Sequence, residues 1–222
     1  MFFIDEGDLK EELEMKHLYR AGSDPDQPTL LLLHGTGGDE EDLLPLAKMI
    51  SPEAGVLSVR GNVLENGMPR FFRRLAEGVF DEEDLVFRTE ELVRFLDEAS
   101  REYGFERRRL VAVGYSNGAN IAASLLFHYR DALAGAILHH PMVPRRGMTL
   151  PDLTGIGVWI GAGRNDPICA PAETEELGRL LEQAGAETEI FWHHGGHQLQ
   201  REEVRRAADW FQNRFLHSQN PG

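Results

Sequence analysis

The stretch that most constrains the fold of this chain runs from Leu110 to Tyr129. An apolar, β-rich run (Leu110 to Val113) meets Gly114-Tyr115-Ser116-Asn117-Gly118, and a helix-forming run (Ala119 to Tyr129) follows at once. Strand, sharp turn, helix is the context in which Gly-x-Ser-x-Gly forms a nucleophile elbow, its serine hydroxyl held clear of the backbone on a strained turn. Glycine is expected at 114 and 118 because a Cβ at either place would collide where strand and helix pass closely. The helix starts just behind Ser116, so its first free N–H groups can stabilise negative charge. With 23 glycines and 7 serines in 222 residues, the pattern should arise by chance in ~1 chain in 14. The flanks therefore have to separate a nucleophile from a solvated turn serine.

On either side, short apolar runs alternate with helical patterns. Residues 13–20 alternate loosely, like an edge strand, and a Pro- and Asp-rich turn follows. Thr29 to Leu33 is a continuous apolar run, the pattern of a strand buried on both faces. It ends in His34-Gly35-Thr36-Gly37-Gly38, and a helical pattern runs from near Glu40 to Ile50. After a strand at Gly55 to Val59, residues 60–72 form a long excursion rich in Gly, Asn and aromatics, of the kind that serves as a lid or binding loop. Further helices are expected over 89–103, 170–184 and 200–216, and strands over 135–141, 157–163 and 187–193, before a short tail. Strands alternating with helices throughout predict an α/β chain, one domain over 1–222, with a mostly parallel central sheet covered by helices on both faces. Ligands bind such sheets at the carboxyl ends of the strands.

Composition narrows the partners. A net charge of −14 leaves no basic face for nucleic acid, and the Arg clusters at 70–74, 107–109 and 205–206 read as solvated faces among acids. Cys169 is the one cysteine, so no intrachain disulfide can form. Acidic residues stand where a signal peptide needs positive charge, and no apolar run approaches the ~20 residues of a membrane span. A cytoplasmic protein is expected.

A serine hydroxyl needs a base, and the base an orienting partner. Asp166 follows the strand ending near Gly161, and His197 lies in the glycine-flanked loop after the last strand. The order Ser116, Asp166, His197 is that of α/β-hydrolases. Asp152 and Asp131 are weaker acids for this role, since neither follows an expected strand end, and Asp166 itself could be a turn former before Pro167. His193 and His194 compete with His197 but sit at the strand end. Because adjacent strand residues point to opposite faces, the three histidines do not converge on a metal, and none is expected. For the oxyanion, one donor is the backbone N–H of Asn117, and the other comes from the Gly-rich turn, Thr36 ahead of Gly37. His139 and His140 read as packing or hydrogen-bonding residues, and Cys169 as a buried structural thiol. Met68, Phe71 and Phe72 stand between lining an acyl pocket and simple loop packing.

These blocks together resemble the carboxylesterase/phospholipase group of α/β-hydrolases over essentially the whole chain. Leu30-Leu31-Leu32-Leu33-His34-Gly35-Thr36-Gly37-Gly38, the Glu65-Asn66-Gly67-Met68-Pro69-Arg70-Phe71-Phe72 segment, Gly114 to Asn120, Gly163-Arg164-Asn165-Asp166-Pro167 and Gly195-Gly196-His197 match its motifs in order. The group includes bacterial carboxylesterases, some associated with hydroquinone resistance, and acyl-protein thioesterases. The bacterial branch fits better, because the thioesterases typically carry Gly-Phe-Ser-Gln-Gly where this chain has Gly-Tyr-Ser-Asn-Gly. The resemblance implies an α/β-hydrolase fold and a triad of Ser116, Asp166 and His197. It also implies oxyanion N–H groups from Thr36 and Asn117, a structural His34, and a substrate pocket formed by Gly35, Met68, Phe71 and Phe72. It implies no cofactor, a small-molecule ester substrate and a homodimer. Short-chain esters are expected, because little chain is left over for a lid domain. Thioester or lysophospholipid hydrolysis uses the same machinery, and a non-catalytic hydrolase-fold binder of an aromatic ligand is the reading from another class. A dienelactone-type hydrolase would usually carry Cys at 116, so serine there weakens that reading.

Overall fold

The computed structural model describes residues 15–217. Seven strands form one sheet. They are β1 (His17–Arg20), β2 (Thr29–Leu33), β3 (Val56–Val59), β8 (Leu110–Tyr115), β9 (Gly135–His139), β10 (Gly157–Gly163) and β11 (Glu187–His193), with β4 to β7 set apart in two hairpins. The spatial order is β1-β3-β2-β8-β9-β10-β11, antiparallel only between β1 and β3. Residues 13 and 14 of the expected edge strand, and the tail beyond 217, lie outside the described residues.

The leucine run shows why the sheet is central. Leu30 and Leu32 face α1 (Leu44–Ile50) and α5 (Arg201–Phe215), while Leu31 and Leu33 face the layer of α2 (Glu82–Tyr103), α3 (Asn117–His128) and α4 (Pro171–Gln183). All four are fully buried. Each such side chain contributes about 1.5–3 kcal/mol over exposure, so the alternation fixes the register of β2 against both layers.

Several expectations shift at their edges. α1 begins at Leu44 rather than near Glu40, because Asp39 and Glu40 hold Arg60 and Lys16 in ion pairs ahead of the helix. α2 begins seven residues before Thr89. Asp81 caps it by accepting from the Asp84 N–H at 3.1 Å, and three acids in its first turn suit the helix dipole. The excursion at 60–72 is not a plain loop. β4 (Val63–Glu65) and β5 (Met68–Arg70) form a hairpin turned by Asn66 and Gly67 at φ 51° and 79°, the left-handed pair that a tight hairpin needs. A second hairpin, β6 (Arg74–Ala76) and β7 (Val79–Phe80), follows. Alternation also fails once. β9 and β10 are parallel neighbours joined by residues 140–156 without a helix, where Pro141, Pro144 and Pro151 remove the N–H donors that a helix would use.

Candidate active site

Ser116 stands between β8 and α3 at φ 51° and ψ −113°, a strained conformation for a residue with a Cβ. The neighbouring glycines make that turn sterically admissible. A Cβ at Gly114 would lie 2.6 Å from the Gly118 carbonyl oxygen, and one at Gly118 would overlap the backbone carbonyl of Leu33. The strain is held by backbone hydrogen bonds. The Ser116 N–H donates to His139 O at 2.9 Å, and the Asn120 N–H donates to Ser116 O at 2.9 Å.

The three residues singled out after the strands come together around that turn. Ser116 Oγ lies 2.8 Å from His197 Nε2, and His197 Nδ1 lies 2.8 Å from Asp166 Oδ2. Since a carboxylate only accepts, Nδ1 carries the proton and Nε2 is left to accept from the serine hydroxyl. Asp166 Oδ1 accepts from the N–H groups of Ile168 and Cys169 at 2.8 and 2.9 Å. Burial pushes the Asp166 carboxyl up, but these N–H groups and both neighbouring histidines outweigh it and hold its pKa below the ordinary value. Tyr115 anchors the histidine loop by donating to His197 O at 2.8 Å. Burial, with Asp166 next, pushes the phenol up to about 12, so it stays a donor.

His193 and His194 diverge as strand alternation requires. His194 is exposed, whereas His193 points inward, its Nε2 3.1 Å from Glu203 Oε2 but off hydrogen-bond alignment. Two sets, His140-His193-Glu203 and His140-Asp166-His197, bring one donor atom each within 4.8 Å of one another, a spacing that also suits a divalent ion. His140 is hydrogen-bonded to a carboxylate in each set, to Glu203 in the first and to Asp166 in the second.

The turn after β2 is braced from several directions. His34 Nε2 accepts from the Gly61 N–H at 3.0 Å, and its Nδ1 donates to Gly35 O at 2.6 Å. Burial lowers its pKa, so it is a neutral strut. Gly37 N–H donates to Pro69 O at 3.0 Å, so it is engaged within the turn. Thr36 and Asn117 both border the cleft beside Ser116. The Asn117 side chain accepts from the Phe71 N–H at 2.7 Å, tying the first hairpin to the elbow.

The cleft has a volume of about 300 Å³, and its walls differ from the expected apolar pocket. Gly35, Met68, Phe71 and Phe72 are not among its lining residues. Phe71 and Phe72 turn into the core, where their rings meet His34 and Phe80 at centroid distances of 4.7 and 5.0 Å. Instead the hairpins present Arg70, Arg74 and Phe80, and the opposite wall is Met142, Ile168 and Cys169. Arg70 is buried. It donates to Thr36 Oγ1 at 2.5 Å and to Phe72 O at 3.1 Å, while burial and then Arg74 bring its pKa down to about 10. It stays charged at neutral pH. Glu65 joins Arg74 at 2.9 Å. Cys169 is buried, donates to His140 O at 3.2 Å, and has its thiol pKa pushed well up by burial, which makes it unreactive.

Glu203, like Arg70, is a buried charged residue that the sequence reading did not find. It is fully enclosed, accepts from His139 Nδ1 at 2.5 Å, and lies 3.2 Å from His140 Nε2. The one sequence hint is Gly161, where a Cβ would overlap the Glu203 carboxylate.

Comparison with known proteins gives this geometry a lineage. The chain is 60% identical to the Bacillus subtilis (strain 168) protein MhqD, whose name calls it a hydrolase, over 91% of this chain and all of that one. The crystal structure of the Bacillus cereus carboxylesterase superposes with a TM-score of 0.90 at 65% identity, covering 91% and 95% of the two chains. YahD, solved with malic acid, gives 0.86 at 32% identity over 90% and 98%. The dienelactone hydrolase family model matches residues 68–210. Serine at 116 weakened that family on sequence grounds, and the family match overturns that inference. No described helix is long and apolar enough to cross a membrane. With the α/β-hydrolase fold, the family match and these relatives together, the chain is a hydrolase and belongs to the dienelactone hydrolase family.

Proposed function

We propose that this protein is a serine carboxylesterase acting on short-chain acyl esters through an acyl-enzyme intermediate. The observation that carries the reading is the contact of Ser116 Oγ with His197 Nε2, and of His197 with Asp166, both at 2.8 Å and on a strained elbow. His197 takes the Ser116 proton as Oγ attacks the acyl carbonyl, and Asp166 stabilises the resulting imidazolium. The N–H groups of Thr36 and Asn117 hold the oxyanion. The imidazolium then protonates the leaving alcohol, and water repeats the sequence on the acyl-enzyme. A cleft of about 300 Å³ is at the small end for ligand pockets, which favours short acyl groups.

Arg70 and Arg74 favour a second reading of the substrate, an ester that also carries a carboxylate. Their two cations share one partner, Glu65, and the cleft lining holds one further acid, Glu77. That YahD has been solved with malic acid supports it. We also take the protein to act in the cytoplasm as a homodimer, which light scattering would test.

Hydrolysis of p-nitrophenyl esters from acetate to dodecanoate, with Ser116→Ala as control, tests the proposal. Turnover peaking at short chains and vanishing in the variant supports it. Turnover surviving in Ser116→Ala refutes the triad, and a maximum at long chains refutes the chain-length assignment. Faster cleavage of a matched thioester would move the protein to the thioesterase reading, and no turnover on any ester to the non-catalytic binder.

A further inference from the structure

We propose that His140 and Glu203 form a buried charge pair that positions Asp166 and restrains the basicity of His197, so that the catalytic relay extends two residues beyond its acid. The inference rests on the Ser116–His197–Asp166 reading above.

The geometry is specific. His140 Nδ1 lies 3.0 Å from Asp166 Oδ2, the same oxygen that receives His197 Nδ1–H. Its Nε2 lies 3.2 Å from Glu203 Oε2. The ring is fully buried with a carboxylate at each end. An ionised carboxylate can only accept, so an imidazole with one proton would leave one of these contacts with two acceptors and no hydrogen. The imidazolium satisfies both.

Glu203 is placed to stay ionised and hold that proton. It sits at the third position of α5, completes a reciprocal capping box with Gln200, and lies within the positive end of the helix dipole. Its other oxygen takes the His139 proton. These contacts with His139 and His140 overcome its burial and hold its carboxyl far below the ordinary value. His140 shows the converse. Burial opposes its charge, yet Glu203 and then Asp166 raise its pKa above the ordinary value.

The fold makes room for this pair. Gly161 of β10 lacks the Cβ that would overlap Glu203, and the His140 N–H donates to Gly161 O at 2.8 Å. His140 itself adopts φ 55°, an unusual conformation for a side chain of its size. Strain of that kind is tolerated where the surroundings over-determine it.

The charged and titratable groups around His140 and His197 can be named element by element. β8 supplies Tyr115, β9 supplies His139, the loop after β10 supplies Asp166 and Cys169, β11 supplies His193 and α5 supplies Glu203. His193 has its pKa lowered by burial and takes the Gly195 N–H on Nδ1, so it is neutral. Of the histidines packed against it, His140 is the one that shares the acceptor oxygen of His197, with ring centroids 5.3 Å apart. It shares Asp166 Oδ2 and so weakens the pull of that oxygen on the His197 proton. The His197 Nδ1–H thus shares its acceptor with a second donor, while Nε2 faces Ser116 Oγ.

The test is the acid limb of kcat/KM, which reports the free-enzyme base. His140→Asn suits the left-handed backbone and removes the cation. Glu203→Gln removes the acceptor that keeps His140 charged. His140→Asn should move the limb to higher pH by about 1–2 units for a charge at this separation, and Glu203→Gln, which loses an anion along with the His140 charge, by less in the same direction. A structural role for Glu203 alone gives the opposite sign, because deleting a negative charge near a neutral His140 lowers the limb. A limb that stays in place or moves down in folded His140→Asn overturns the pair.

A readout without turnover covers variants that fail to fold. In Ser116→Ala protein labelled with 15N-histidine, the His140 ring should show both nitrogens protonated at pH 7. A neutral ring there overturns the proposal. Ser116→Ala retaining turnover would instead overturn the triad reading while leaving the ring measurement intact, so the two failures are distinguishable.

Discussion

Two regions meet at the cleft and are built on different principles. At the strand ends, backbone fixes the geometry. Gly118 packs where any Cβ would overlap Leu33, Ser116 is locked by two backbone hydrogen bonds, and four donors surround the Asp166 carboxylate. The two hairpins over residues 63–80 rest more on side-chain links, beside the backbone bond from Gly37 N–H to Pro69 O. Arg74 meets Glu65, Arg70 meets Thr36, and Leu64, Val79 and Leu75 stand 70%, 50% and 73% exposed at the rim. The groups around Ser116 therefore have little freedom to move, whereas the exposed rim of the hairpins tolerates change, its links to the elbow running through Arg70–Thr36 and Phe71–Asn117.

The sharpest break in that contrast should come from Ser116→Ala. We expect hydrolysis of p-nitrophenyl acetate to fall by about 10⁴-fold or more, with a melting temperature close to that of the parent. Next is Gly118→Ala, where the new methyl meets backbone that cannot yield. A loss of about 3 kcal/mol or more is expected in urea unfolding, and a change under 1 kcal/mol would show the elbow to be softer than its contacts imply. On the hairpin side, Arg74→Gln should raise KM about tenfold for an ester bearing a carboxylate and leave the neutral acetate ester nearly unaffected, in keeping with one charge-assisted contact. Equal effects on both esters would remove the anionic-substrate reading.

Stability against pH separates the regions again. Glu203 has a depressed pKa, so its contribution is present above the ordinary glutamate value of 4.5 and is lost as pH falls through its folded value. His140 has a raised pKa, so its contribution is full below the ordinary histidine value of 6.5 and is lost as pH rises through its folded value. Melting temperature should be highest between about 4.5 and 6.5 and flatter across pH in Glu203→Gln. A profile unchanged by that substitution would mean that the pair does not titrate with folding. The smallest effect belongs to the rim, where Leu75→Ser should alter stability by no more than about 0.5 kcal/mol.

The same contrast explains what the amino-acid sequence discloses. The central strands are legible because continuous apolar runs such as Leu30 to Leu33 have one stable solution, burial on both faces. Ser116 and Asp166 stand out because each follows such a strand, and His197 because it lies in a glycine-flanked loop after the last one. The hairpins are harder to read, although Asn66-Gly67 is a strong turn signal, because their strands are only two or three residues long. Phe71 and Phe72 read as pocket lining but turn into the core, since nothing local says which side of a hairpin base faces the cleft. The early start of α2 was marked by Asp81 and the acids after it, whose polarity hides the helical period. Glu203 is the least legible. It sits in an acidic stretch that reads as a solvated helix face, and its partners His139 and His140 lie 64 and 63 residues away in the chain.

The most direct test of the central claim is mass spectrometry after treatment with a fluorophosphonate, which phosphonylates an activated serine. We expect one adduct per chain, on the peptide containing Ser116, forming in step with the loss of esterase activity and absent from Ser116→Ala. Inactivation with the label on another residue, or full labelling of Ser116 with turnover intact, would contradict the assignment of Ser116 as the nucleophile.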